Sequence, residues 1–224
     1  IVERKNTIPI LANVLIETDG NSIRLLATDI EVTLSSSCEA AVEKPGAVTL
    51  PAKKLYEIVR SLPDGDVKLV SSKDGNHVTV SADRFESKMP TMPVGDFPTP
   101  PTSELTNATV LASASLRQLI TKTQFAITGE DTRYYLNGAL FVVKTDSMTM
   151  VATDGHRLAL ASATRAGPQG EEIKAILPRK TLSELGRLLA DSDRDVDYER
   201  GENHMFFRIG PRLLVSRMID GQFP

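Results

Sequence analysis

The sequence predicts an α+β fold arranged as two similar units, and three observations carry that prediction. The chain repeats itself: at an offset of 125, Thr7 lines up with Thr132, Leu11 with Leu136, Leu15 with Leu140, and Ala27-Thr28-Asp29 with Ala152-Thr153-Asp154. Each copy carries several short stretches of alternating apolar and polar residues separated by Asp, Gly and Asn, the signature of half-buried antiparallel strands. Each copy also holds one amphipathic segment opened by proline, Pro51 and Pro178, the signature of a helix start.

In chain order, Ile23-Arg24-Leu25 and Val32-Thr33-Leu34 alternate within a region from Leu11 to Leu34, and Asp19-Gly20-Asn21 supplies a hairpin turn; two strands are predicted here. From Pro51 to Leu62 the apolar residues Leu55, Ile58, Val59 and Leu62 fall at helical spacing, and Pro63-Asp64-Gly65 stops the helix. Val67 to Val70, His77 to Ser81 and Arg84 to Met89 then read as a meander of short strands. The second copy follows the same order. Pro51, Lys53, Leu55, Glu57 and Arg60 match Pro178, Lys180, Leu182, Glu184 and Arg187, Asn76-His77 matches Asn203-His204, and Phe97-Pro98 matches Phe223-Pro224. The second copy has a fuller opening, a strand at Thr109-Val110-Leu111 and a helix face of Leu116, Leu119, Ile120 and Thr123, whereas only residues 1 to 6 precede Thr7. A chain cut at both ends is therefore expected, with a third unit beyond Pro224. Between the copies, Met92 to Pro101 is too rich in proline for helix or central strand and reads as a linker. The expected domains are residues 1–106, with the linker at about 90–106, and residues 107–224.

Composition bounds the function. A content of 41% hydrophobic and 25% charged residues over 224 residues supports two ordinary cores. Cys38 is the only cysteine, so no intrachain disulfide forms, and no apolar run is long enough to cross a membrane; both fit a cytoplasmic protein. The net charge of −3 argues against a uniformly basic coat on nucleic acid, and an aromatic content of 5% with no Trp argues against a platform for single-stranded bases. An acidic protein can still present a local basic face, so nucleic acid is not excluded.

Arg133-Tyr134-Tyr135-Leu136-Asn137-Gly138, then Ala152-Thr153-Asp154-Gly155-His156-Arg157-Leu158-Ala159, then Leu177-Pro178-Arg179-Lys180, resemble the middle domain of the bacterial DNA sliding clamp, the β subunit of the replicative polymerase (DNA polymerase III). Asn6-Thr7-Ile8-Pro9-Ile10-Leu11 and Leu50-Pro51-Ala52-Lys53-Lys54 resemble the same family's first domain, and Asp220 to Pro224 the passage into its third, which is expected to be missing from this chain. The resemblance covers essentially the whole chain. It implies the DNA-clamp fold, with helices facing DNA and antiparallel sheets outside, and a processivity factor that encircles double-stranded DNA without reading sequence. The complete protein is then a head-to-tail homodimer ring, while the present chain, lacking the third domain, could be monomeric.

Cations on the first turn of two matching helices oppose the helix dipole at a cost on the order of a few tenths of a kcal/mol, and the repetition of that cost suggests a purpose. The resemblance implies that Lys53, Arg179 and Lys180 touch phosphates, with Lys5, Arg133, Tyr134 and Tyr135 also near the DNA. It further implies that Leu136, Thr153, Gly155, His156, Arg157, Leu158 and Pro224 line a groove for short peptides carried by the replicative polymerase, the clamp loader and other clamp-binding proteins. Where the second copy has Gly155-His156-Arg157-Leu158 the first has Ile30-Glu31-Val32-Thr33, so the shared fold does not require the former. A hydrolase using Asp154 and His156 is the first rival, and a scaffold that forms no ring the second. The hydrolase lacks a second carboxylate at metal-ligand spacing, a histidine pair, a nucleophile elbow and a phosphate-binding loop. No catalytic residue, metal site or cofactor is expected; His77 and His204 read as hairpin-turn residues and Met89 and Met218 as packing residues.

Overall fold

In the computed structural model, which describes residues 1–2, 8–129, 132–166 and 172–224, the chain divides into units Ile1–Pro100 and Pro101–Pro224. The first unit begins with β1 (Asn13–Asp19), β2 (Ser22–Thr28), β3 (Val32–Glu39) and β4 (Ala47–Pro51). These pair antiparallel in the order β4-β1-β2-β3. Three strands thus occupy the region where alternation predicts two, and β4 follows. The patterning misses half of β3 because Ser35 to Cys38 carry no apolar alternation; their order comes from the backbone ladder with β2. Helix α1 (Ala52–Ser61) follows with Pro51 at its N-cap, as expected, then the meander β5 (Lys68–Ser71), β6 (His77–Ala82) and β7 (Phe85–Pro90). His77 is the first residue of β6, opposite Pro90, rather than a turn residue.

Alternation along β1 sends successive side chains to opposite faces. Val14 and Ile16 join Leu50, Leu55, Val78, Val80 and Met89 in one core, while Leu15 joins Ile10, Leu11, Leu26 and Phe97 in another. Phe97 explains a departure from the sequence reading. The proline-rich segment holds a 3₁₀ turn, Val94–Asp96, and Met92, Val94 and Phe97 pack onto the face of the first unit's sheet away from α1. The buried Thr49 hydroxyl donates to the Met92 carbonyl at 2.8 Å. Residues 92–97 are therefore docked rather than extended as a spacer.

The second unit contains β8 (Thr109–Leu111), α2 (Ser113–Thr123), β9 (Gly138–Val143), β10 (Ser147–Thr153), β11 (Leu158–Thr164) and β12 (Ile173–Pro178). Helix α3 (Arg179–Ala190) and strands β13 (Val196–Arg200), β14 (His204–Ile209) and β15 (Arg212–Arg217) complete it. Its sheets are ordered β11-β10-β9-β12 and β8-β13-β14-β15. The first order repeats β3-β2-β1-β4 strand for strand. Leu116, Leu119 and Ile120 of α2 and Leu182, Leu185 and Leu189 of α3 are buried. The two helices pack together, with Gly186 close to Ile120 Cγ2. Buried Tyr198 lies edge-on to Phe141 and tilted against Phe207, with ring centroids 5.7 and 5.2 Å apart.

Candidate functional site

The two cation-bearing helix starts lie where the sequence puts them. Lys53 is the second residue of α1, its side chain 67% exposed and 3.7 Å from Glu57. Arg179 and Lys180 are the first two residues of α3, Arg179 exposed and Lys180 half-buried. Neither helix has an acidic residue in its first turn or a side-chain cap. The Arg179 amide donates to the Asn137 carbonyl at 3.1 Å, which ties the start of α3 to the end of the Tyr134–Leu136 3₁₀ turn. Arg133 and Tyr134 are exposed and Tyr135 half-buried, with the two tyrosine rings edge-on at 6.0 Å. Lys5 lies outside the described residues.

The turn between β10 and β11 is built by its own side chains. Thr153 Oγ1 donates to the Arg157 carbonyl at 2.7 Å and accepts from the Gly155 amide at 3.1 Å. Asp154 Oδ1 accepts the amides of His156 and Arg157 at 3.0 and 2.9 Å, and Oδ2 accepts Arg157 Nε at 2.9 Å. The Arg157 amide, then the His156 amide and the guanidinium, hold the Asp154 carboxyl below its ordinary pKa. Gly155 has φ +86, a conformation that side chains with a Cβ rarely adopt, so this position favours glycine, and the exposed Arg133 guanidinium lies against it.

The first unit makes the same turn. Ile30 N donates to Thr28 Oγ1 at 3.0 Å, Thr28 Oγ1 donates to the Val32 carbonyl at 3.3 Å, and the Val32 amide donates to Asp29 Oδ1 at 2.6 Å. Ile30 even takes the positive φ, +81, of its counterpart Gly155. The Thr-Asp pair is thus the staple of a repeated turn. With both carboxylate oxygens of Asp154 engaged inside that turn, it is poorly placed to act as a base.

What differs between the turns is the surface. Leu158 and Leu160, on the free edge of their sheet, are 65% and 61% exposed, while Ala159 and Ala161 between them are buried. Leu158 lies opposite Thr153, Leu160 opposite Val151, and Val151 opposite Leu140, which makes a shallow apolar strip across three strands. Leu136, the last residue of the Tyr134–Leu136 turn, is 1% exposed and so presents almost no surface of its own. Its carbonyl accepts the Thr128 amide and hydroxyl at 3.2 and 3.0 Å. The terminal segment runs along the other edge of the sheet: Ile219 bridges Ile176 of β12, and Gly221 comes up against Tyr134 and Tyr135. Pro224 is exposed at its end, outside the hydrogen bonds that build the turn. Sequence reasoning missed Phe125, whose carbonyl accepts Arg157 Nη2 at 2.7 Å and whose ring lies 5.6 Å from Arg157 Cζ. Nothing local in the sequence marks a backbone acceptor.

Among the described residues, no group of three His, Cys, Asp or Glu side chains is arranged to hold a metal ion, and no helix is long and apolar enough to cross a membrane.

Two family profiles match almost the entire chain: residues 1–101 match the DNA polymerase III beta subunit, N-terminal domain, and residues 110–224 match its central domain. The chain belongs to the DNA polymerase III beta subunit family. It is 41% identical to the beta sliding clamp of Caulobacter vibrioides, over all of this chain and 62% of that protein. It is 39% identical to the beta sliding clamp of Pseudomonas aeruginosa, over all of this chain and 61% of that protein. The crystal structure of the DNA polymerase sliding clamp from Caulobacter crescentus superposes with a TM-score of 0.93 at 41% identity, again over all of this chain and 62% of that one. The chain therefore has the sliding-clamp fold and spans about three-fifths of the length of these clamps.

Proposed function

We propose that this chain forms two units of a non-catalytic processivity clamp, which in its complete form is a homodimer ring around duplex DNA. The observation that carries the DNA reading is the recurrence, in both units, of cations on the first turn of α1 and α3, where the helix dipole disfavours them. Phosphates facing those helix starts would offset the cost that the dipole imposes on the cations. Lys53, Arg179 and Lys180, supplemented by Lys5, Arg133, Tyr134 and Tyr135, form the DNA set. These groups offer charge and hydroxyls to a phosphate backbone, so binding is independent of sequence. The apolar strip at Leu158 and Leu160, rimmed by Gly155, His156 and Arg157, is the docking surface for peptides of the polymerase, the clamp loader and other clamp-binding proteins.

The test is fluorescence titration of two unrelated duplexes over a range of salt concentrations. Lys53, Arg179 and Lys180 each neutralise one phosphate on this reading, so changing any one of them to Ala should make the log–log salt slope shallower by about 0.9, equally for both duplexes. An unchanged slope in all three variants, or a preference for one duplex, would sink the DNA reading.

A further inference from the structure

Phe125 stands in none of the sequence motifs, yet its ring is 58% exposed in the 3₁₀ turn Gln124–Ala126 that follows α2. Large exposed apolar side chains are ordinary when isolated. This one is not isolated, because a single guanidinium joins it to the peptide surface. Arg157 donates through Nη2 to the Phe125 carbonyl, stacks over the Phe125 ring, and donates through Nε to Asp154, the residue that staples the turn.

The first unit shows what this clasp is not for. There the same turn forms with the matching bonds of Thr28 to the Ile30 amide and Val32 carbonyl and of Asp29 to the Val32 amide, although Val32 occupies the place of Arg157 and has no guanidinium. The clasp is therefore dispensable for making the turn. What it adds is a fixed link between the turn and the segment after α2, one residue before Leu158.

We propose that Phe125 is a positioning residue of the peptide surface, acting through Arg157 to hold the Thr153–Arg157 turn and the orientation of Leu158. This rests on the reading of that surface as the peptide site. Direct contact with the peptide is disfavoured by geometry. Successive residues of an extended segment point to opposite faces. Ala159 and Ala161 are buried on the side where α2 packs, and Leu158 and Leu160 face away from it. Arg157 sits at the end of the turn and its guanidinium reaches back to Phe125, which follows α2, so the Phe125 ring lies on the α2 side of the strand, away from a peptide lying on Leu158.

The experiment is a calorimetric titration of a synthetic clamp-binding peptide of the replicative polymerase into the wild-type chain and the variants Phe125→Leu, Phe125→Trp, Arg157→Ala and Phe125→Leu/Arg157→Ala. Melting temperatures are recorded in parallel. Phe125→Leu keeps the backbone acceptor and loses the ring face, so affinity should fall about two- to fivefold, while Phe125→Trp should retain it. In the Arg157→Ala background, Phe125→Leu should change nothing further. Equal losses in both backgrounds would mean that the ring touches the peptide itself and would overturn the proposal. So would a lowered melting temperature with unchanged affinity. Absence of peptide binding by the wild-type chain would bring down the peptide-site reading, and this inference with it, before any variant is compared.

Discussion

Replacing Leu158 with Ala removes the most exposed apolar side chain of the strip without disturbing the turn, whose hydrogen bonds come from Thr153, Asp154 and backbone groups. Burial of a complete leucine side chain is worth about 1.5–3 kcal/mol. Leu158 is 65% exposed, so roughly two-thirds of that remains to be gained when a peptide covers it, about 1–2 kcal/mol. At 1.4 kcal/mol per decade, the expected loss of peptide affinity is about five- to thirtyfold. Leu158→Asp should weaken binding further, because a peptide would then bury an unpaired carboxylate. The exposed Lys144, in the turn between β9 and β10, provides a control whose change to Ala should leave affinity unaltered. Calorimetry gives the affinities and thermal melting shows that each variant is folded. Since so little of Leu158 is buried in the chain itself, Leu158→Ala should shift Tm by only a few degrees. Equal affinity for the wild type and a folded Leu158→Ala variant would refute the reasoning and place the peptide surface elsewhere.

Two further outcomes concern stability. The Tyr198 hydroxyl is buried with no hydrogen-bond partner among the described residues, so Tyr198→Phe should raise stability by about 1 kcal/mol and Tm by a few degrees. Burial pushes its pKa up from 10.0, so its contribution is present below pH 10 and lost as pH rises above that value. Denaturant titrations from pH 8 to 11 should accordingly show a gentler alkaline loss in the Phe variant, and a steeper one would contradict the assignment. Ile30, a β-branched residue at φ +81 with its side chain 53% exposed, holds strain of about 1–2 kcal/mol. Ile30→Asn should release part of it and raise Tm, whereas Ile30→Val should not; a lower Tm for the Asn variant would show that the side chain is packed rather than strained.

How much was legible follows from where each feature is encoded. The helices were visible because Pro51 and Pro178 punctuate segments with local apolar periodicity, and α1 and α3 begin directly after those prolines. The duplication was visible because Leu15 and Leu140 occupy the same place in sheets of the same order. By contrast, β4 is short, and the second half of β3 is a serine run held by its ladder with β2, a long-range condition that leaves no local periodicity. The docking of Phe97 was hidden by the prolines around it, which rule out regular structure but not burial. At the site, exposure of Leu158 could be guessed only from resemblance, since a leucine in an alternating strand ordinarily points inward.

The duplication also shows which residues of the turn serve architecture and which are left for function. Asp154 beside His156 looks like an acid–base pair in the sequence, yet Asp29 makes the same hydrogen bond to the amide three residues on, with Glu31 in place of the histidine. A residue that does the same work in both units answers to the fold. The residues without a counterpart are the informative ones. At the strand start, Thr33 shares a hydrogen bond with Thr28 Oγ1 at 2.7 Å, whereas Leu158 opposite Thr153 presents bare apolar surface. Ile30 tolerates a strained φ that Gly155 adopts freely, and Gly155 leaves room for the Arg133 guanidinium. The two turns share their hydrogen bonds and differ in their rims, which the fold leaves open, and it is on the second unit's rim that the proposed peptide surface lies.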